Sequence, residues 1–221
     1  MNRSLLYIVA IVALFTQACK LDPPIYGPPP KADWSRSYQP LSPGSFWKYS
    51  IDAEGHAPDT ATLTVTGEEP VINNKVYHTV YSASKTVAGP GYIYNADHII
   101  SIRTNSLIYN ELLELQYVND TVKVGQSWTA NVTDNGLLQG VPARMIGTAV
   151  ADSITRTVNG ITYPRVKHTR IQIQQDHGAG FTTVATYDYY INMGVGVIEN
   201  DGVQADGTDL GKLKLLSYAI K

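Results

Sequence analysis

The stretch Thr148-Ala-Val-Ala-Asp-Ser-Ile-Thr-Arg-Thr-Val158-Asn159-Gly160-Ile161-Thr-Tyr-Pro-Arg-Val-Lys-His-Thr169-Arg-Ile-Gln-Ile-Gln174 decides how this chain is read. Two strand-like runs, Thr148 to Val158 and Ile161 to Gln174, flank Asn159-Gly160. Asn and Gly tolerate the positive φ that a two-residue type I′ turn demands, and that turn has the twist of the strands it joins. Thr169 to Gln174 alternates polar and apolar residues with period two, the pattern of a half-buried strand. The expectation is a long β-hairpin.

The same grammar runs outward in both directions. Thr62-Leu-Thr-Val-Thr66 and Thr183-Val-Ala-Thr-Tyr-Asp-Tyr189 alternate in the same way. Asn73-Asn74, Gly89-Pro90-Gly91, Asn135-Gly136 and Asp206-Gly207 supply turn signals between them. Leu107 to Tyr117 has apolar residues at helical spacing but lies between two strand patterns, so strand and helix both stay open there.

An internal repeat adds a second level. Gly44-Ser-Phe-Trp47 followed by Gly55 matches Gly125-Gln-Ser-Trp128 followed by Gly136, all at an offset of 81 residues. Asn74-Lys-Val-Tyr77 resembles Gly160-Ile-Thr-Tyr163 at an offset of 86. Either half alone is small for a secure core without disulfides. The expected fold is therefore all-β: one antiparallel sheet built from two similar halves, a half-open barrel or a sandwich, over residues 44–221. Trp47 and Trp128 are the expected core anchors.

The N-terminus reads differently. Arg3 precedes an apolar run, Leu5 to Phe15, of signal-peptide length and too short to span a bilayer. Ala18 then precedes Cys19, the only cysteine of the chain. This resembles a bacterial lipobox, with Thr16 at a position where the pattern usually has Leu. The resemblance implies cleavage between Ala18 and Cys19, and acylation of Cys19 as the new first residue. Two or three acyl chains anchor a protein stably, each buried methylene contributing about 0.8 kcal/mol. With Cys19 acylated no thiol is left for a disulfide, a redox pair or a thiolate metal site. Residues 1–18 are thus read as signal peptide. Residues 19–43 are read as acylated cysteine and tether, because seven of the twelve prolines fall between Pro23 and Pro43. Such a run favours extended polyproline II geometry, and at about 3.1 Å per residue it would reach on the order of 70 Å. Trp34 and Tyr38 are candidates to pack back on the domain.

Composition narrows the function classes. The formal net charge of −2 becomes −3 once Arg3 is removed with the leader, which carries no acid. No basic run exists to neutralise phosphates, so nucleic-acid binding is not expected. Fifteen tyrosines and few charges suit a β-rich secreted domain.

The arrangement of Cys19, Gly44, Trp47, Tyr49, Gly125, Trp128, Gly194-Val195-Gly196, Ser217, Tyr218 and Ile220 resembles a family of Bacteroidota outer-membrane lipoproteins. The resemblance implies an outer-membrane location, on the periplasmic or cell-surface face, and an all-β domain. It implies no catalytic residue.

The chain contains no nucleophile elbow, P-loop, dinucleotide fingerprint or zincin helix motif. Asp97-His98 and Asp176-His177 are the two places where an acid could orient a histidine base; strand-end polar residues are the plainer reading. The acids of Asn200-Asp-Gly and Asp206-Gly-Thr-Asp209 read as hairpin-turn residues before they read as calcium ligands. Tyr187 and Tyr189 share one strand face. Exposed, they would suit sugar stacking; buried, they would line a hydrophobic cavity or simply fill the strand. Asp59-Thr-Ala61, Asp120-Thr-Val122 and Asp152-Ser-Ile154 resemble O-glycan acceptors of Bacteroidota envelope proteins. The expected function is a membrane-anchored, non-catalytic envelope lipoprotein. Its only expected partners are the membrane, through the lipid, and a hydrophobic or glycan ligand; no cofactor or metal is expected. A carrier of an acyl chain in a half-barrel, and a hydrolase of unfamiliar type, are the alternatives.

Overall fold

The computed structural model describes residues 34–221 except 53, 54, 56, 86, 87 and 107. Ala18, Cys19 and the tether as far as residue 33 lie outside the described residues. A 3-10 turn, Trp34–Arg36, leads into the strands. These are β1 (Phe46–Asp52), β2 (Asp59–Val65), β3 (Val71–Ile72), β4 (Lys75–Val76), β5 (His78–Ala83), β6 (Ala88–Ala96), β7 (Ile99–Ser106) and β8 (Glu111–Asn119). The second half contributes β9 (Ser127–Ala130), β10 (Leu137–Leu138), β11 (Val141–Val158), β12 (Ile161–Asp176), β13 (Phe181–Asn192), β14 (Gly196–Gln204) and β15 (Asp209–Ala219).

The main sheet runs β10-β11-β12-β13-β14-β15-β1-β2-β5-β6-β7-β8, with β9 beside β11 and β3-β4 as a separate pair. It is antiparallel, and β15 returns beside β1 so that the chain's last strand joins its first. At the other end of the path β8 approaches β11 and β12. The sheet is thus nearly closed into a barrel with a seam, the half-open form expected from the repeat. Isolated bonds close the seam in place of a ladder. The Glu114 N–H donates to Val132 O at 2.9 Å. The Thr169 hydroxyl donates to Tyr117 O at 2.7 Å. The Gln116 N–H meets the Met145 sulfur at 3.3 Å.

The hairpin that opened the reading is β11–β12. Asn159 has φ 48° and Gly160 φ 80°, the two positive values of a I′ turn. Every second residue from Lys167 to Gln175 is buried, so Ile171 and Ile173 face the core while His168 and Arg170 face away. Burying each of those isoleucines contributes roughly 1.5–3 kcal/mol over leaving it exposed. The hairpin is not uniform. The register slips between Ala149 and Arg156, and Ser153 sits at φ 55°, so the distal part bends.

The first half repeats this plan. Val71 pairs Val76 across the Asn73-Asn74 turn, and the ladder is interrupted before Thr66 and Thr79 resume it. The short β3–β4 pair is therefore the bent tip of the β2–β5 hairpin, as residues 156–163 are of β11–β12. The entries match at atomic level. Gly44 N–H donates to Val65 O and Val65 N–H to Ser45 O, while Gly125 N–H donates to Ala149 O and Ala149 N–H to Gln126 O.

One expectation is corrected and one left open is decided. Residues 34–43 were read as the end of a tether, but Gln39 and Leu41 are 2% and 1% exposed. They form a strap across the domain: Gly194 N–H donates to Ser37 O at 2.7 Å, and the Asn95 amide donates to Ser37 Oγ and Gln39 O at 2.9 and 2.8 Å. A proline-rich segment has few donors of its own, yet it packs when its carbonyls find partners. Of the residues left open, 108–110 form a turn and those from Glu111 on are strand: β8 buries Leu113, Leu115 and Tyr117 alternately against β7. Its ladder partner, absent from any local pattern, decides between the two periods.

The core gathers Trp47, Tyr49, Ile93, Tyr117, Ile171, Tyr189, Ile191 and Leu215 inside the curled sheet. Trp47 donates its indole N–H to Val195 O at 2.6 Å. Leu113, Val132, Leu138, Ile173 and Ala185 form a second cluster nearer the seam.

Candidate functional site

On β6–β8 the register puts Tyr94, Ser101, Arg103, Glu114 and Gln116 on the face turned away from Ile93, Ile102 and Leu115. The hairpin tip β3–β4 brings Asn73, Lys75 and Tyr77 over this face. The end of β9 and the segment after it bring Ala130, Asn131, Thr133 and Asp134 alongside. Between them lies a cleft of about 280 Å³. A neighbouring recess of about 320 Å³ shares Thr133 and Asp134 and continues along Glu111, Leu112 and Leu137. Both follow the seam, where β8 and the 130–140 segment part.

The cleft's side chains are fixed by one another. Glu114 accepts hydrogen bonds from the Tyr77 hydroxyl at 2.9 Å and the Ser101 hydroxyl at 2.8 Å. Lys75 lies 3.4 Å from the same carboxylate and 5.1 Å from the centre of the Tyr94 ring. Arg103, with its side chain 7% exposed, forks onto Asp134, with Nη1 2.6 Å from Oδ1 and Nη2 on Oδ2. The Asn73 amide donates to Asp134 at 2.9 Å. The hydrogen bond from Arg103 holds the Asp134 carboxyl below the ordinary carboxylate range, against the opposing effect of burial. Burial first, then the bond to Glu114, pushes the Tyr77 hydroxyl well up. The bond to Asp97, then burial, raises Tyr94 to about 12. Two cations face two carboxylates, so the cleft is polar with no net charge.

The tyrosines singled out from the sequence lie elsewhere. Tyr189 is 8% exposed and stacks on Tyr117 with ring centres 5.2 Å apart. Tyr187 is half-buried and packs against both core clusters, its ring lying over Gly202 of the neighbouring strand. They share the inward face and form no exposed aromatic row.

The expected acid–histidine pairs do not form as read. Asp97 accepts from Tyr94, and His98 meets Asp120 at 2.7 Å on an exposed turn. Asp176 accepts the N–H groups of Gly178 and Gly180, which makes it a turn residue. The sequence reading missed His168–Asp188, 2.7 Å apart, where Asp188 also takes Arg170 and His168 stacks on Tyr190. Burial raises the Asp188 carboxyl, but the bonds from His168 and Arg170 outweigh it and hold the group low. Cross-strand pairing of His168 with Tyr190 and of Arg170 with Asp188 brings these groups together, which no local pattern announces. His56 lies outside the described residues. The acids of 201–209 serve the β14–β15 hairpin: Asp201 pairs with Lys212, and Asp206 and Asp209 accept backbone N–H groups at the turn. Among the described residues no group of acids and histidines is placed to hold a metal. Thr60, Thr121 and Ser153, the central residues of the three Asp-Ser/Thr tripeptides, are all exposed.

No family model and no curated protein matches the sequence. The fold is similar to a solved structure of a candidate lipoprotein from Parabacteroides distasonis, with TM-score 0.52, 8% identity, and coverage of 82% of this chain and 98% of that one. A candidate exported protein from Bacteroides fragilis, described as having a YmcC-like fold, aligns with TM-score 0.48 and 8% identity over 81% of this chain and 97% of that one.

Proposed function

We propose that the chain is a lipid-anchored protein of the bacterial outer membrane whose β domain is a non-catalytic binding module. The observation that carries the reading is Cys19, the sole cysteine, standing directly after a leader of signal-peptide form. The fold shared with a candidate lipoprotein supports it. The strap that ties residues 34–41 to the domain supports a role as a held, oriented module, because the tether then delivers the barrel from one fixed point. The test is labelled palmitate uptake in a bacterial host. Cys19→Ala is expected to abolish incorporation and to shift the protein out of the outer-membrane fraction; incorporation that persists would overturn the anchor.

The acyl-carrier reading is disfavoured by one observation. Where a carrier needs an apolar hollow, the inside of this curled sheet holds Trp47, Ile171, Ile191 and Leu215, each at 0% exposure. The seam cleft outside this core is instead the natural place for a ligand, since it is concave and lined by convergent polar groups.

A further inference from the structure

We infer that the seam cleft binds a neutral oligosaccharide, with its units lying along the cleft and the adjoining recess. The inference rests on the binding role proposed above only in that the β domain takes a ligand.

Charge excludes the ionic classes first. Lys75 and Arg103 oppose Glu114 and Asp134, so neither an anion nor a cation enters without meeting its own sign. Arg103 is already committed within the protein: Asp134 takes both of its terminal nitrogens, Glu114 lies 3.5 Å from Nη1, and its side chain is only 7% exposed. What the cleft offers is neutral hydrogen-bonding capacity. The side-chain amides of Gln116 and Asn131 line it and bond to no other described residue. Each is planar, with a donor and an acceptor side by side, the arrangement that bridges two neighbouring hydroxyls. Asp134, its side chain half exposed, keeps outward lone pairs beside them.

Shape then separates a saccharide from a peptide. An extended peptide that binds by strand addition needs a free strand edge. Here the edge of β8 is already engaged, with Glu114 N–H on Val132 O and Gln116 N–H on the Met145 sulfur. The two recesses, at about 280 and 320 Å³, straddle the lower bound of the range for ligand pockets, roughly 300–1,000 Å³. Two small recesses meeting at Thr133 and Asp134 suit a chain of small, repeated, polar units. Leu112 and Leu137, 38% and 37% exposed at the outer recess, supply an apolar surface for the C–H face of a ring.

The test is calorimetry on the full mature chain in detergent with cellohexaose, xylohexaose, mannohexaose and maltohexaose as probes. At least one hexaose is expected to bind, and its disaccharide more weakly. The double variant Gln116→Ala/Asn131→Ala, which removes no side-chain bond among the described residues, should weaken binding about tenfold or more with an unchanged melting temperature. Binding by none of the four hexaoses, or binding that the double variant leaves intact, overturns the site. Binding of a peptide or an acidic polysaccharide that the variant abolishes overturns the ligand class. Palmitate uptake through Cys19 is read separately, so loss of the saccharide site leaves the lipoprotein reading standing and the converse also holds.

Discussion

Gly147 carries the tightest constraint among the described glycines. A methyl group there would lie 2.1 Å from the Trp128 ring, which covers the glycine from the neighbouring strand. Gly147→Ala is expected to lower stability by about 1–3 kcal/mol through overpacking, read as a lower urea midpoint; an unchanged midpoint would show that the indole moves freely. The two repeat tryptophans differ in a way the repeat itself does not reveal. Trp47 donates to Val195 O, whereas Trp128 Nε1 is buried with no partner among the described residues. Trp47→Phe should therefore cost about 1 kcal/mol more than Trp128→Phe, because only the first strands a buried carbonyl. Asp134 gives a pH signature. Its folded-state carboxyl titrates below the unfolded one, so its contribution is complete above the ordinary carboxylate range and is lost as pH falls through the lower, folded value. Asp134→Asn should flatten the acid limb of stability below about pH 4, the ordinary carboxylate range; an acid limb identical to the parent's would refute the Arg103 pairing.

At the scale of elements the strap is the least expected feature. Residues 34–41 are held by the Gly194 turn, by Asn95 on β6 and by Tyr117 on β8, whose hydroxyl donates to Gln39 at 3.1 Å. This explains Gly194-Val-Gly196. Side chains there would meet Ser35 O at 3.1 Å and the Gln39 amide at 3.1 Å, and both glycines hold positive φ. Asn95→Ala removes two bonds to the strap at once. It should cost about 1–3 kcal/mol and speed proteolysis near residue 38. Cleavage at the parent rate would mean that the strap is held by packing on Leu41 alone. The bent hairpin tips belong to the same scale. One tip places Lys75 and Tyr77 on Glu114, and the other places Arg156 on Glu199 at 2.7 Å.

For the whole molecule the dominant titration is that of tyrosine. Tyr49, Tyr117 and Tyr189 are pushed up by burial, and Tyr187 to about 12 by the same cause. In the unfolded chain each ionises near 10. The folded state therefore keeps protons that the unfolded state releases, so this tyrosine contribution is complete below about pH 10 and is lost as pH rises beyond it. Phenolate absorbance of the buried tyrosines should appear together with loss of circular dichroism; ionisation of Tyr49, Tyr117 and Tyr189 at about pH 10 without unfolding would contradict the packed interior.

The strands, the I′ turn and the paired Gly-x-x-Trp entries were legible because each is a short-range statement. Alternation reports which face is buried, Asn159-Gly160 reports backbone φ, and the 81-residue offset reports a duplicated entry whose hydrogen bonds do coincide. The same local signals were ambiguous at 107–117, where only pairing with β7 chose the period, and misleading at 34–43, where proline hid a packed strap. Tyr187 and Tyr189 were correctly given a common face, but alternation names a face without saying whether it looks inward. The cleft was not legible at all. Lys75, Arg103, Glu114 and Asp134 stand far apart in the chain and in no motif. They meet because a bent hairpin tip crosses β8 at the point where the barrel fails to close. By itself the sequence determined an all-β chain with a repeated half, since strand alternation and turn residues depend on neighbours within a few residues. Curvature, seam and site depended on how the strand edges met, and only the tertiary structure decided them.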